Sequence, residues 1–236
     1  MDSAVYATLT RQSGLMREMQ VVAHNIANLS TAGFRREGVV FSEHVERMDT
    51  GPSLSMAHAS GRQVDLSEGT LSQTGGTFDF AIRGEGFFLV ETPEGERLTR
   101  AGNFTPNAAG ELVNPDGHRL LDAGAAPVFV PPDAGSVTLG QDGTLSAGAR
   151  PLAQIGLWQP ADPLALRHEA GTLFEGGELE PAEGATLLQG FVEESNVEPV
   201  SEITRMIEVQ RAYEQGQAFL AREDERVRGV IQTLGR

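Results

Sequence analysis

The chain has 236 residues, 39% of them hydrophobic, and a formal net charge of -15. It has no cysteine, and all 18 of its basic side chains are arginine, which excludes disulfides, thiolate chemistry, Schiff-base lysines and the phosphate-loop lysine. The charge is unevenly placed: residues 1–37 carry +1, residues 201–236 carry 0, and the middle carries -16. Phosphate recognition needs a basic face, so nucleic acid is not an expected partner. No stretch approaches the ~18 apolar residues of a membrane span, so membrane insertion is not expected. The first residues lack a basic region followed by an apolar core, so the chain is expected to be exported without a cleavable signal peptide, if it is exported.

Residues 3–28 predict a first helix. Leu9, Gln12, Met16, Met19, Ala23 and Ile26 recur at three-four spacing, and Val5, Leu15 and Val22 widen that face. Asn25 and Asn28 are poor helix formers there, suited either to ending the helix or to bonding a neighbour through their amides. Gly33 can take the left-handed conformation that turns the chain away. Residues 36–70 read as an extended connector. Val39, Val40 and Phe41 could begin a strand, but Asp49 to Gly51, Pro52 and Gly61 interrupt any long element.

Residues 71–192 read as a β-rich domain. Apolar runs flank the turns Pro93-Glu94-Gly95, Asn114-Pro115-Asp116-Gly117 and Gln141-Asp142-Gly143. Leu152 to Trp158 and Thr186 to Val192 each suggest one further strand. With no helices alternating between them, these strands predict an antiparallel barrel or sandwich. Glu193 to Val197 read as a solvated polar joint. From Ser201 to Leu234, Met206, Val209, Tyr213, Gly216, Leu220, Glu223, Val227, Val230 and Leu234 form one long helical stripe, widened by Ile203 and Ile207.

The fold class is therefore α+β: a mainly β antiparallel domain inserted between N- and C-terminal α-helices that associate as a coiled-coil-like pair. The expected organisation is residues 1–35 as the first helix of an inner assembly domain, 36–70 as connector, 71–192 as outer domain, and 193–236 as the second assembly helix. Catalysis is not indicated. Gly84-Glu85-Gly86 lacks the rest of a nucleotide loop and reads as a bend in a strand. The five histidines show no metal-ligand spacing. Ser72, Ser136 and Ser146 lack a nucleophile-elbow context. No metal, cofactor or small-molecule substrate is expected. Two apolar-striped, near-neutral ends around an acidic middle suggest ends that associate and a middle that stays solvated.

Four motifs then resemble one family. His24 to Glu37 (HNIANLSTAGFRRE) is similar to the N-terminal signature of the flagellar rod and hook proteins, with His24 standing where the first of two asparagines is usual. Phe78 to Val90 (FDFAIRGEGFFLV), Leu98 to Leu121 (LTRAGNFTPNAAGELVNPDGHRLL) and Glu193 to Glu214 (EESNVEPVSEITRMIEVQRAYE) resemble later segments of the same family, in the same order. The opening Met1-Asp2 with Tyr6, the modest length and the short segment 49–64 fit a proximal-rod subunit better than a distal-rod or hook subunit.

The resemblance implies a structural, non-enzymatic subunit of the flagellar basal body, crossing the periplasm. Its partners would be other proximal- and distal-rod subunits, further copies of itself, and the flagellar export apparatus. Its assembly residues would be Leu9, Met16, Met19, Asn25, Ile26, Asn28, Gly33 and Phe34 near one end. Near the other they would be Asn196, Ile203, Met206, Gln210, Arg211, Tyr213, Leu220 and Val227. The alternative from a different class is an adaptor, a β domain dimerised by a coiled coil.

Overall fold

In a computed structural model of the chain, residues 2–46 and 54–234 are described. They divide into two compact units, one built from residues 1–27, 37–63 and 198–236 and the other from residues 28–36 and 64–197.

The first unit contains α1 (Asp2–Ala27), β1 (Glu37–Glu46), β2 (Leu54–Val64) and, at the far end of the sequence, α2 (Pro199–Leu234). Pro199 suits the first turn of α2, where its missing N–H costs no helical hydrogen bond. The helices lie side by side and antiparallel, since rising positions on α1 meet falling positions on α2: Gln12 with Tyr213, Glu18 with Arg205, Asn25 with Glu202. On α2 the expected stripe is the seam from Met206 to Glu223, whereas its later members Val227 and Val230 are exposed. Glu202 and Val209 are buried, and Met206, Tyr213, Gly216, Leu220 and Glu223 are half-buried. On α1 the seam departs from the expected line. Leu9 and Met16 are exposed, whereas Gln12, Glu18, Val21, Val22 and Asn25 are buried. The helix is turned by its polar side chains, which find specific partners across the seam.

The expected connector is instead a two-stranded sheet of β1 and β2. Gly61, expected to interrupt, lies inside β2. The breakers Asp49 to Gly51 and Pro52 lie outside the described residues.

The second unit holds the remaining strands. In chain order they are β3 (Leu71–Gln73), β4 (Phe80–Arg83), β5 (Phe88–Thr92), β6 (Gly95–Thr99), β7 (Thr105–Pro106), β8 (Leu112–Val113) and β9 (Arg119–Leu120). Next come β10 (Val137–Leu139), β11 (Thr144–Ala147), β12 (Arg150–Gln154), β13 (Trp158–Pro160), β14 (Arg167–His168) and β15 (Leu173–Glu175). The last are β16 (Leu179–Pro181), β17 (Thr186–Gln189) and β18 (Phe191–Glu193). Seven of them form one antiparallel sheet in the order β14-β15-β6-β5-β9-β8-β7.

The three expected turns close their hairpins. Pro93-Glu94 joins β5 to β6, Asn114 to Gly117 joins β8 to β9, and Gly140 to Gly143 joins β10 to β11. In the second, Asn114 Oδ1 accepts from the N–H groups of Asp116 and His118, which is how an asparagine fixes a turn.

β5 explains the run Phe87-Phe88-Leu89-Val90. Alternate residues point to opposite faces. Phe88 and Val90 join a cluster with Phe80, Ile82, Leu112 and Leu120, while Phe87 and Leu89 join another with Leu98, Leu121 and Phe174. A strand covered on both faces reads as an unbroken apolar run.

Two expected strands prove to be pairs. Thr186 to Val192 breaks at Gly190, whose φ of 77° moves the chain from pairing with β4 to pairing with β3. Leu152 to Trp158 splits into β12 and β13, and Pro160 is the last residue of β13.

Candidate assembly interface

Asn25 is fully buried in the first unit. Its Nδ2 donates to the Glu37 carbonyl at 2.9 Å and to Glu202 Oε2 at 3.2 Å, while its Oδ1 accepts from the Glu37 N–H at 3.0 Å. One amide thus ties α1 to the start of β1 and to the first turn of α2. The Glu37 side chain, 1% exposed, is met by His24 Nδ1 at 3.2 Å and Arg62 Nη1 at 3.6 Å. His24 therefore joins the contacts that gather on Glu37.

Further along the seam, Arg205 Nε donates to Glu18 Oε1 at 2.6 Å, and Gln12 Nε2 donates to the Tyr213 carbonyl at 2.9 Å. Burial works against the charge on Arg205, but its bonds to Glu18 and Glu208 outweigh that and raise its pKa.

Outward from the seam the unit is apolar in an unusual number of places. Leu9 and Met16 on α1 are 49% and 41% exposed; Ile203, Ile207, Phe219 and Val227 on α2 are 51%, 44%, 45% and 43% exposed. Val230 and Ile231 are exposed as well, and so is every α2 residue from Asp224 to Thr233. Gln210 and Arg211 are exposed, Gln210 bonding along the helix to Glu214. Met19, Ile26, Met206 and Leu220 are half-buried.

The other expected residues lie in the second unit. Asn28 is half-buried and its Oδ1 accepts from the Thr31 hydroxyl. Gly33 has φ 73°, its N–H donates to the Glu193 carbonyl at 2.7 Å, and a Cβ there would come within 2.1 Å of the Ala101 nitrogen. Phe34 is fully buried, its ring centroid 5.2 Å from that of His168. Asn196 Oδ1 accepts from the Arg36 N–H at 2.6 Å, and its Nδ2 donates to the Asp65 and Ser67 carbonyls.

Glu193, read from sequence as solvated, is 1% exposed. Its Oε1 lies 2.9 Å from Arg35 Nη2 and its Oε2 accepts from Arg100 Nε at 2.7 Å. Arg100 Nη1 also donates to the carbonyls of Gly84 and Gly86, at 3.1 and 2.6 Å, which fixes the bend between β4 and β5. Desolvation, aided by the nearby Arg100, lowers the pKa of Arg35 against the pull of Glu193. Sequence reasoning missed this network because a charged side chain next to a turn reads as surface. The only signal was that all three residues sit inside motifs quoted above. Thus Asn25, Gly33, Phe34 and Asn196 are occupied within their own units, whereas Leu9, Met16, Ile203, Gln210, Arg211 and Val227 face outward.

Residues 81–147 match the family model described as the flagellar hook protein FlgE/F/G D1 domain, and residues 188–233 match that of the flagellar basal body rod FlgEFG protein C-terminal segment. The chain is 37% identical to the flagellar basal-body rod protein FlgF of Caulobacter vibrioides, with 100% of this chain and 99% of the relative aligned. It is 38% identical to FlgF of Mesorhizobium japonicum over the same shares. Similarity to FlgG of Bacillus subtilis is lower, 30% with 97% of each chain aligned. The chain therefore belongs to the flagellar basal-body rod protein family, as a structural subunit most like its FlgF members.

Proposed function

We propose that this chain is a proximal-rod subunit that polymerises through its terminal helices, with its β-rich unit facing outward. Its partners are other rod subunits and further copies of itself, and it reaches the basal body through the flagellar export apparatus. The observation that carries this reading is the apolar surface left on α1 and α2 after they have packed together, from Leu9 and Met16 to Val227 and Ile231. Contiguous exposed apolar surface marks association, and repeated head-to-tail contacts of one kind build a helical array.

The test is complementation of a strain lacking the gene with Ile203→Asp and Val227→Asp together. The isolated double variant keeps the wild-type circular dichroism, because both positions are exposed, yet gives no rods and no swimming. Normal rods built from it would refute the reading.

A further inference from the structure

The chain passes between its two compact units at residues 27–28, 36–37, 63–64 and 197–198. Three of those four junctions lead away from one small ring of hydrogen bonds, built wholly from residues of the second unit. Asn196 Oδ1 accepts from the Arg36 N–H at 2.6 Å, the Asp65 N–H donates to the Arg36 carbonyl at 2.8 Å, and Asn196 Nδ2 donates to the Asp65 carbonyl at 3.1 Å. Each of the three segments thus bonds both of the others. Asn196 Nδ2 also donates to the Ser67 carbonyl at 2.9 Å. Serving one N–H and two carbonyls at once takes an acceptor and two donors on one short side chain, which a carboxamide has and a carboxylate or hydroxyl lacks. Phe34, Val64 and Val197, one or two residues from the ring in each segment, are buried and anchor it.

The first unit, by contrast, is assembled from three pieces far apart in sequence, residues 1–27, 37–63 and 198–236. Such pieces pair only after the chain between them is closed, and that closure costs conformational entropy before any contact offsets it. The ring removes much of this cost. β1 begins at Glu37, next to Arg36; β2 ends at Val64, next to Asp65; and α2 begins at Pro199, three residues after Asn196. With the second unit folded, all three elements therefore spring from one point. Asn25 then joins α1 to them through the Glu37 backbone and Glu202.

We propose that this ring is a template for the helix pair: it gathers the roots of β1, β2 and α2, so that the first unit folds only on a folded second unit. A consequence rests on the rod reading above, namely that only a chain with a folded β-rich unit presents paired helices to its neighbours. The template itself does not depend on that reading.

The chain carries its own two reporters. α1 and α2 both lie in the first unit and supply the helical circular dichroism, whereas the single tryptophan, Trp158, packs in the second unit against a cluster that includes Phe87, Leu89 and Leu121. The experiment is urea unfolding of the free full-length protein, followed by both signals. In the wild type the main helical transition and the Trp158 transition should share one midpoint, as a single cooperative unit requires. In Asn196→Ala the helical midpoint should fall at least about 1 M urea below that of Trp158. The bonds of the Asn196 side chain all lie in the second unit, so a role confined to holding that unit would lower the Trp158 midpoint first, or both together. Either of those results, or midpoints already separate in the wild type, overturns the proposal. Should Asn196→Ala fail to fold, Asn196→Ser, whose hydroxyl can keep one of the bonds, is read for the same separation. Only the free protein is measured, so failure here leaves the rod reading standing, and failed complementation leaves the template standing.

Discussion

At the scale of the residue, the motifs of this chain supply buried polar contacts. Asn25 holds both backbone groups of Glu37 and the carboxylate of Glu202. Replacing it with alanine leaves these groups without that partner, at about 1–3 kcal/mol for each unsatisfied one. Asn25→Ala should therefore lower stability by roughly 2–4 kcal/mol, read as a fall in the urea midpoint of the helical signal. Asp65 gives a second expectation. Partial burial pushes its carboxyl up, but the backbone and hydroxyl of Ser67, with Arg36 and Arg35 nearby, overcome that and hold it below the ordinary aspartate value. A depressed folded value stabilises above the unfolded pKa, and the gain is lost as pH falls through the folded one. The stability gap between wild type and Asp65→Asn should stay constant above about pH 5 and shrink below about pH 4. Equilibrium denaturation across that range checks it, and a gap independent of pH would contradict the assignment.

At the scale of the element, one glycine sets how closely two segments approach. A Cβ on Gly102 would stand 1.6 Å from the Phe80 carbonyl oxygen, at a point where the Gly102 carbonyl accepts from the Phe80 N–H at 2.8 Å. Backbone cannot yield as a flexible side-chain end can, so Gly102→Ala should cost more than about 3 kcal/mol and lower the Tm sharply. The helices allow a sharper contrast. Val209 is 2% exposed and Val227 is 43% exposed, on one stripe of one helix. Val209→Asp should unfold the helix pair, whereas Val227→Asp should spare it and act on assembly alone, which circular dichroism and rod recovery together distinguish. These elements also show what the sequence could reveal. The α2 stripe was legible because nearly all its seam positions are apolar at helical spacing. The α1 seam was not, because Gln12, Glu18 and Asn25 occupy it, and hydropathy places such residues outside. The turns were legible from Asn-Pro-Asp-Gly and its like. The buried trio of Arg35, Arg100 and Glu193 was hidden, since only three-dimensional proximity neutralises a charge.

At the scale of the whole molecule, α2 is longer than its partner. α1 has 26 residues and α2 has 36. Pairing of Gln12 with Tyr213 and Asn25 with Glu202 runs α1 out near Glu223, and each residue of α2 from Asp224 to Thr233 is exposed. That tail is held only by local, solvent-screened pairs, Glu223 with Arg226 and Asp224 with Arg228. A helical segment with so little tertiary support opens easily, because helices of this length draw most of their stability from packing. In the free subunit, trypsin should cut first at Arg222, Arg226 and Arg228, well before the second unit, whose exposed Arg83, Arg150 and Arg167 lie in paired strands. In assembled rods the same arginines should resist, because Val227, Val230 and Ile231 then have a surface to cover them. Time-resolved digestion of free and assembled protein, read by mass spectrometry, compares the two directly. Equal cleavage rates would mean that the tail stays uncovered in the rod. The apolar surface that drives assembly would then have to lie on the paired stretch of the helices, around Leu9, Met16, Ile203 and Ile207. Slower cleavage in the rod places the tail within the contacts between subunits.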